Sequence, residues 1–358
     1  MYVAKKTSYD HDMRLFEHAG VVFWYALLGA AAIGAPLLLD TYYLSQLTFV
    51  CIYAVAGVGL MLLSGYAGQI SLGHAAFLAA GAYAEAILQA NGVPLAASLP
   101  AAALIAAALG LVAGIPALRL GGIYLAVATL ALAFIVEEVL VRWESLTKGN
   151  FGITLAAPSA GGFVFDVEWK MYCLALGVLT AVMFGAANLL RSHTGRALTA
   201  IRDSEIAAQS LGIHLAWHKT LVFAISAGLT GLAGGLYAHK IGFISPDQFT
   251  VTMSIELLVM ILVGGLGSLH GAVLGAAFIV LLPQVIVMVR GVLPISASTQ
   301  GGLDAGLFGL LLILFMLYEP QGLYGRWVKV RMFLELFPFY RKATFRRQRG
   351  YVKTDRLR

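Results

Sequence analysis

The sequence predicts an all-α polytopic membrane protein of about ten transmembrane helices, on three grounds: its apolar fraction, the spacing of its apolar runs and the placing of its basic residues. Hydrophobic residues make up 60% of the 358 and charged residues 12%, with a mean hydropathy of +0.84. A soluble domain runs nearer ~45–50% apolar and ~25% charged, so a soluble class is excluded. Forty glycines suit helices that pack backbone to backbone in lipid.

A helix needs about 20 apolar residues to cross roughly 30 Å of hydrocarbon. The first such run, 21–39, follows Lys5, Lys6 and Arg14 and ends Leu37-Leu38-Leu39-Asp40. It lacks the short apolar core and small-residue cleavage site of a signal peptide, which predicts an uncleaved span. Further spans are predicted at 44–64, 68–90, 95–117, 121–141, 171–190, 220–240, 252–268, 270–290 and 302–319. The third and eighth carry glycine-rich stretches and are candidates for broken or re-entrant helices lining a cavity.

The positive-inside rule orients this set. The 191–219 loop holds Arg191, Arg196, Arg202 and Lys219, and eleven of the 24 Lys and Arg follow Gly325. Ten spans with both termini in the cytoplasm put these and the N-terminal basic residues on one side. The 142–170 loop, three basic residues against three acidic, then faces out. The expected organisation is an N-terminal cytoplasmic segment 1–20, a membrane domain 21–323 and a basic cytoplasmic tail 324–358. The tail is expected to lie on anionic lipid headgroups, at about 1 kcal/mol per basic residue, or to dock on a cytoplasmic partner.

Several activities lack their signatures. There is no phosphate-binding G-x-x-x-x-G-K-[ST] loop and no H-E-x-x-H, C-x-x-C or G-x-S-x-G. Cys51 and Cys173 each sit in an apolar run, where a thiol behaves as a small hydrophobe. Lys240 and Arg290 fall at span ends, where long side chains snorkel. The span middles read as nearly free of charge, unlike ion-coupled carriers, whose coupling uses intramembrane carboxylates or His.

Three stretches carry information. The first, Gly65 to Tyr83, sets Gly65, Gly68, Gly73 and Gly81 beside Gln69, Ser71 and His74. These polar groups either bond a neighbouring helix or line a pathway. The second, Gly264 to Phe278, repeats Gly68, Ser71 and Leu72 as Gly265, Ser268 and Leu269 at a constant offset of 197, which is compatible with a parallel internal repeat. It adds Ser268 and His270 as pathway candidates. The third is the 195–213 loop, rich in helix formers. There Asp203 or Ser204 can cap a second short helix and Gly212 can end it, giving a docking surface with an apolar and a charged face.

Together these motifs resemble the permease subunits of high-affinity branched-chain amino acid ABC importers, the M-type subunit most nearly. The resemblance rests on Gly65-x-x-Gly68-Gln69-x-Ser71-Leu72-Gly73-His74-Ala75-Ala76-Phe77 and on Gly264-Gly265-Leu266-Gly267-Ser268 with Gly271-x-x-x-Gly275-Ala276. Glu319-Pro320-x-Gly322-Leu323 closes the last span in the same manner. The loop residues Gly195, Arg196, Ile201, Arg202, Asp203, Glu205, Ala207, Ala208 and Gly212 resemble that family's ATPase-docking loop.

The resemblance implies translocation without covalent chemistry, in a bacterial inner membrane. The implied partners are a second homologous permease subunit, two ABC ATPase subunits, a periplasmic binding protein and membrane lipids; nucleic acid is not among them. No cofactor or metal is expected in this chain, ATP and Mg being held by the ATPases. Two departures, Phe134 in place of an acidic residue and Thr147-Lys148-Gly149-Asn150 in place of Thr-Gly-Gly, leave other amino acids, amides, urea, aromatic acids or sugars open as cargo. An ion-coupled carrier and a membrane-embedded enzyme are the rivals from other classes. Glu137 and Glu138 fall about 24 Å across the membrane, near its outer edge. They are either interfacial carboxylates bonded to water or Arg142, or an outer site attracting an ammonium group.

Overall fold

The computed structural model describes residues 19–160, 163–290 and 322–336, with single residues between 306 and 318. Helix α1 (Ala19–Leu38) is followed by α2 (Thr41–Leu60), which runs on into a π-helical turn, Met61–Tyr66. After a non-helical stretch come α3 (His74–Ala90), α4 (Leu95–Ala117), α5 (Ile123–Arg142) and the single turn α6 (Glu144–Thr147). Helix α7 (Glu168–Arg191) leads into the short pair α8 (His193–Asp203) and α9 (Glu205–Ser210). Then follow α10 (Leu215–Ile241), α11 (Val251–Gly264), α12 (Leu269–Arg290) and α13 (Gly322–Leu336).

Seven helices among the described residues are long and apolar enough to cross a membrane: Thr41–Tyr66, Leu95–Pro116, Ile123–Arg142, Glu168–Arg191, Leu215–Ile241, Pro246–Gly264 and Leu269–Ile286. Phe23–Leu38 is apolar but shorter. The predicted third span is helical only from His74, and the eighth ends at Gly264. In both, conformations that residues other than glycine rarely adopt stop the helix: Gly68 has φ 69°, Gly265 φ 113° and Gly267 φ 82°. Most of the predicted tenth span, the segment 1–18 and most of the tail lie outside the described residues.

Helix α10 occupies the middle, packed by α2, α3 and α4, while α2 also packs on α7 and α12. Phe77, Leu78, Phe223, Leu236 and Leu60 are fully buried between them. Hydrocarbon offers no hydrophobic drive for helices to associate, so close backbone approach must supply the contact. One such case is α3 on α10, where a Cβ at Gly81 would fall 2.0 Å from the Gly231 carbonyl oxygen. Apolar side chains such as Phe23, Trp24, Leu104, Ile123, Tyr124 and Phe134 point outward. Cys51 is buried and Cys173 exposed, and both are free.

The two long loops lie at opposite ends of α7 and α10. At one end, β1 (Ile153–Thr154) pairs antiparallel with β4 (Phe243–Ile244), and β2 (Ser159–Ala160) with β3 (Phe163–Val164). Lys148 stands at φ 62°, a conformation that favours glycine. Before α7, a hydrogen bond from Lys170 holds the Asp166 carboxyl below the usual carboxylate range. At the other end lie α8 and α9.

The α3–α10 contact yields a test. Gly81→Ala should destabilise the purified protein by about 1–3 kcal/mol, the usual cost of overpacking. Gly177→Ala, where a Cβ meets nothing within 4 Å, should be neutral or stabilising. Thermal unfolding in detergent measures both.

Candidate functional site

The site is built where the 191–219 loop meets the two glycine breaks. Helix α8 turns Gly195, Ala197, Leu198 and Ile201 inward, and Arg196 donates to the Arg191 carbonyl at 3.0 Å. Ser204 ends α8 and caps α9, its hydroxyl accepting from the Ala207 N–H at 3.3 Å. In α9 Ala208 is buried, and Gly212, at φ 84°, ends the turn. Ile206 and Leu211, 84% and 79% exposed, leave apolar knobs on a polar loop. Glu205 pairs with Lys219 at 2.7 Å, the lysine side chain being only 6% exposed. Beside this pair lies a groove of about 400 Å³ lined by Leu118, Gln209, Gly212 and His214.

Arg202 joins this loop to the membrane helices. Its Nη1 donates to the Gly65 carbonyl at 3.1 Å, while Nε and Nη2 donate to Asp203 Oδ1 at 3.2 and 3.1 Å. Its aliphatic stem covers Gly68, where a Cβ would lie 2.9 Å from Cγ. The second break is also in reach: a Cβ at Gly267 would lie 3.6 Å from Nη1, and one at Gly65 only 2.8 Å from the Gly267 nitrogen. One guanidinium thus sits where both broken helices touch.

Each break leaves backbone groups that side chains take up. Ser64 donates to the Gln69 carbonyl at 3.1 Å, Thr129 accepts from Leu72 N–H at 3.0 Å and Ser254 from Ala75 N–H at 2.9 Å. Ser71 accepts from Gly73 N–H at 3.4 Å, and Ser268 from Gly271 N–H at 3.1 Å. Ser71 and Ser268, related by the offset of 197, each accept a backbone N–H at a helix start, Ser71 from two residues on and Ser268 from three. His74 is fully buried, with Nδ1 2.9 Å from Ser71 Oγ and Nε2 2.8 Å from Ser226 Oγ. Ser226 gives its proton to the Gly59 carbonyl at 2.7 Å, so Nε2 must donate and Nδ1 accept, the neutral tautomer. Gln69 is buried, and neither amide atom is hydrogen-bonded among the described residues.

The predicted pathway residues therefore divide. Gln69, Ser71, His74 and Ser268 gather at the 191–219 end. His270 lies on the flank of that end, 2.5 Å from Tyr25 Oη and stacked on Tyr324 at 5.8 Å. Glu137 and Glu138 are at the far end of α5, in an open groove of about 860 Å³ with Phe134 and Trp143, and Glu138 is ion-paired with Arg142.

Two lone acids stand within the membrane helices. Glu85 in α3 is fully buried; its Oε1 accepts from Ser98 at 2.6 Å and meets His239 Nε2 at 2.9 Å. Glu256 stands in α11. Both were visible as lone acids within apolar runs. Lys240, at its span end, pairs with Glu168 at 2.5 Å. No cluster of metal-binding side chains occurs among the described residues.

Apolar helices of spanning length, two of them broken at glycine and locked to a polar loop, define a polytopic membrane permease. Residues 42–316 match the family model described as branched-chain amino acid transport system / permease component, and the chain belongs to that family. It is 32% identical over 327 residues to the high-affinity branched-chain amino acid transport system permease protein LivM of Salmonella typhimurium, covering 84% of this chain and 74% of that one. The LivM protein of Escherichia coli is 33% identical over the same shares. The autoinducer 2 import system permease protein LsrC of an Enterobacter species is 30% identical over 279 residues, covering 73% of this chain and 77% of that one. No solved structure gives a significant match. The chain is a transport permease and not an enzyme.

The Glu205–Lys219 pair is open to a swap. Glu205→Lys should cost about 1.5–3 kcal/mol, the range for a hydrogen bond to a charged group, because it leaves the buried ammonium facing a second cation. Adding Lys219→Glu should recover most of this in thermal unfolding.

Proposed function

We propose that this chain is one of two permease subunits of an ATP-driven importer in a bacterial inner membrane, moving branched-chain or related hydrophobic amino acids. A periplasmic binding protein delivers the cargo at the 142–170 end, and two ATPase subunits, which bind ATP and Mg, dock on the 191–219 loop. The chain has ten spans with both termini in the cytoplasm. The contacts of Tyr25 and Tyr324 with His270, which bring the starts of α1, α12 and α13 to the loop's end, support that topology.

The observation that carries the reading is the Arg202 junction. Closure of the ATPases shifts α8 and α9, which expose Ile206 and Leu211 as contact points. Arg202 passes that shift to Gly65 and Gly267 together, so α2, α3, α11 and α12 change tilt at their glycine breaks. Helices so hinged alternate the path between outward- and inward-open. Bidentate reach matters here, since a lysine is a single point charge. The LsrC similarity favours a sugar-like cargo as the second reading; the ligand co-purifying with the binding protein separates the two.

Proteoliposomes holding the complete complex should take up leucine only with ATP on the loop side and loaded binding protein on the other. Uptake driven by an ion gradient without ATPases would overturn the reading. Arg202→Ala and Arg202→Lys should each lower uptake at least tenfold, about 1.4 kcal/mol, and abolish stimulation of ATPase activity by the loaded binding protein. The amount of complex in the membrane should stay unchanged. Glu137→Gln with Glu138→Gln should alter leucine uptake by less than about twofold, ~0.4 kcal/mol, because Glu138 is engaged by Arg142.

A further inference from the structure

The half of the domain nearest the 142–170 loop holds a cluster that neither the loop nor the glycine breaks use. Tyr53 of α2 meets Tyr237 of α10 edge to face, ring centroids 6.3 Å apart, and Phe49, one turn away, lies 6.4 Å from Tyr237. Phe249 is 6.0 Å from Tyr237 and 6.1 Å from Tyr83 of α3. Glu256 of α11 is within electrostatic reach of both Tyr53 and Tyr237. Two membrane helices thus bring rings to Glu256, while Tyr83 of α3 joins through Phe249 and lies nearer Asp247.

Two polar groups of this cluster lack a partner among the described residues. Glu256 is half-buried and makes no hydrogen bond or ion pair among the described residues. Lys240, whose ammonium stands 5.4 Å over the Phe49 ring, is committed to Glu168 at 2.5 Å. The Tyr83 hydroxyl is buried and also lacks a partner. An uncompensated charge within a span is costly, so a passing cation that meets it is favoured. Aromatic rings beside a carboxylate suit an organic ammonium. A bare metal cation would want several oxygen ligands, and the rings offer faces instead. An anionic cargo would be repelled.

We propose that Glu256, with the rings of Tyr53 and Tyr237, forms a station on the translocation path that receives the ammonium group of a zwitterionic amino acid. This rests on the amino acid reading of the cargo and locates, within the chain, the group that selects for it. The hold is weak by construction: the carboxylate is partly wet, and a tight site would retain the cargo. Losing it slows passage and leaves delivery by the binding protein unaltered.

Leucine uptake by cells carrying the complete importer tests this, with the deletion strain as reference. Glu256→Gln should lower the maximal rate about tenfold while the half-saturating leucine concentration and the amount of chain in the membrane stay within about twofold. Glu256→Asp should restore most of the rate. Tyr53→Leu, which keeps bulk and removes the ring face, should lower the maximal rate about threefold and carries the test if the Gln variant does not accumulate. A Gln variant at wild-type rate, or Gln and Asp variants equally impaired, overturns the station while loss of uptake in the deletion strain keeps the permease reading standing. Full leucine uptake in the deletion strain overturns the amino acid reading, and the station with it.

Discussion

Everything in this membrane domain depends on satisfying the backbone where two helices stop inside it. Hydrocarbon supplies no hydrogen-bond partner, so irregular backbone at membrane depth survives only when protein groups take up its N–H and C=O. Here the partners are short side chains from elsewhere in the fold. Thr129 comes from α5, Ser254 from α11 and Arg202 from the loop, reaching Leu72, Ala75 and Gly65 respectively. Remove these, and 67–73 has no reason not to melt or to become helix. The break and its partners are one structural unit, and the loop is part of it.

That arrangement separates a rigid region from a movable one. Around Gly81 and Gly231, α3 and α10 touch at backbone distance, and close packing resists deformation. At the 191–219 end, Gly68 and Gly267, both with positive φ, lie against Arg202 of the loop. On the proposed mechanism this is the end that yields. A permease worked by outside energy needs that contrast: a part that transmits force and a part that yields to it.

Buried polar groups follow the same division. His74, Ser71 and Ser226 are mutually satisfied and fasten the start of α3 to α2 and α10, a structural network. Glu85 is held by Ser98 and His239. Glu256, the Tyr83 hydroxyl and the Gln69 amide are among the exceptions in the described residues, and unsatisfied polar groups in a membrane domain are where ligands are expected.

The sequence alone determined the solvent, the elements and the family. Apolar runs of spanning length, basic residues at alternate loops, the glycine-rich stretches at 65–81 and 264–275, and the 195–213 loop are local patterns that need no partner to be legible. Even a cap at Asp203 or Ser204 and the stop at Gly212 follow from neighbours in the chain, and the fold takes Ser204. What remained hidden was every relation between residues far apart in the chain. Gln69, Ser71, His74 and Ser268 appeared as one set with His270, Glu137 and Glu138, yet the fold puts the first four at one end, His270 on its flank and the two acids at the other. Arg202 read as a loop cation, and only tertiary structure put its guanidinium on Gly65, 137 residues away. Glu256 gained its aromatic surroundings in the same way. Periodicity and composition fix which residues enter lipid, because transfer is a property of each residue with its neighbours. Which polar groups meet is decided by helix packing, and that depends on the whole chain at once.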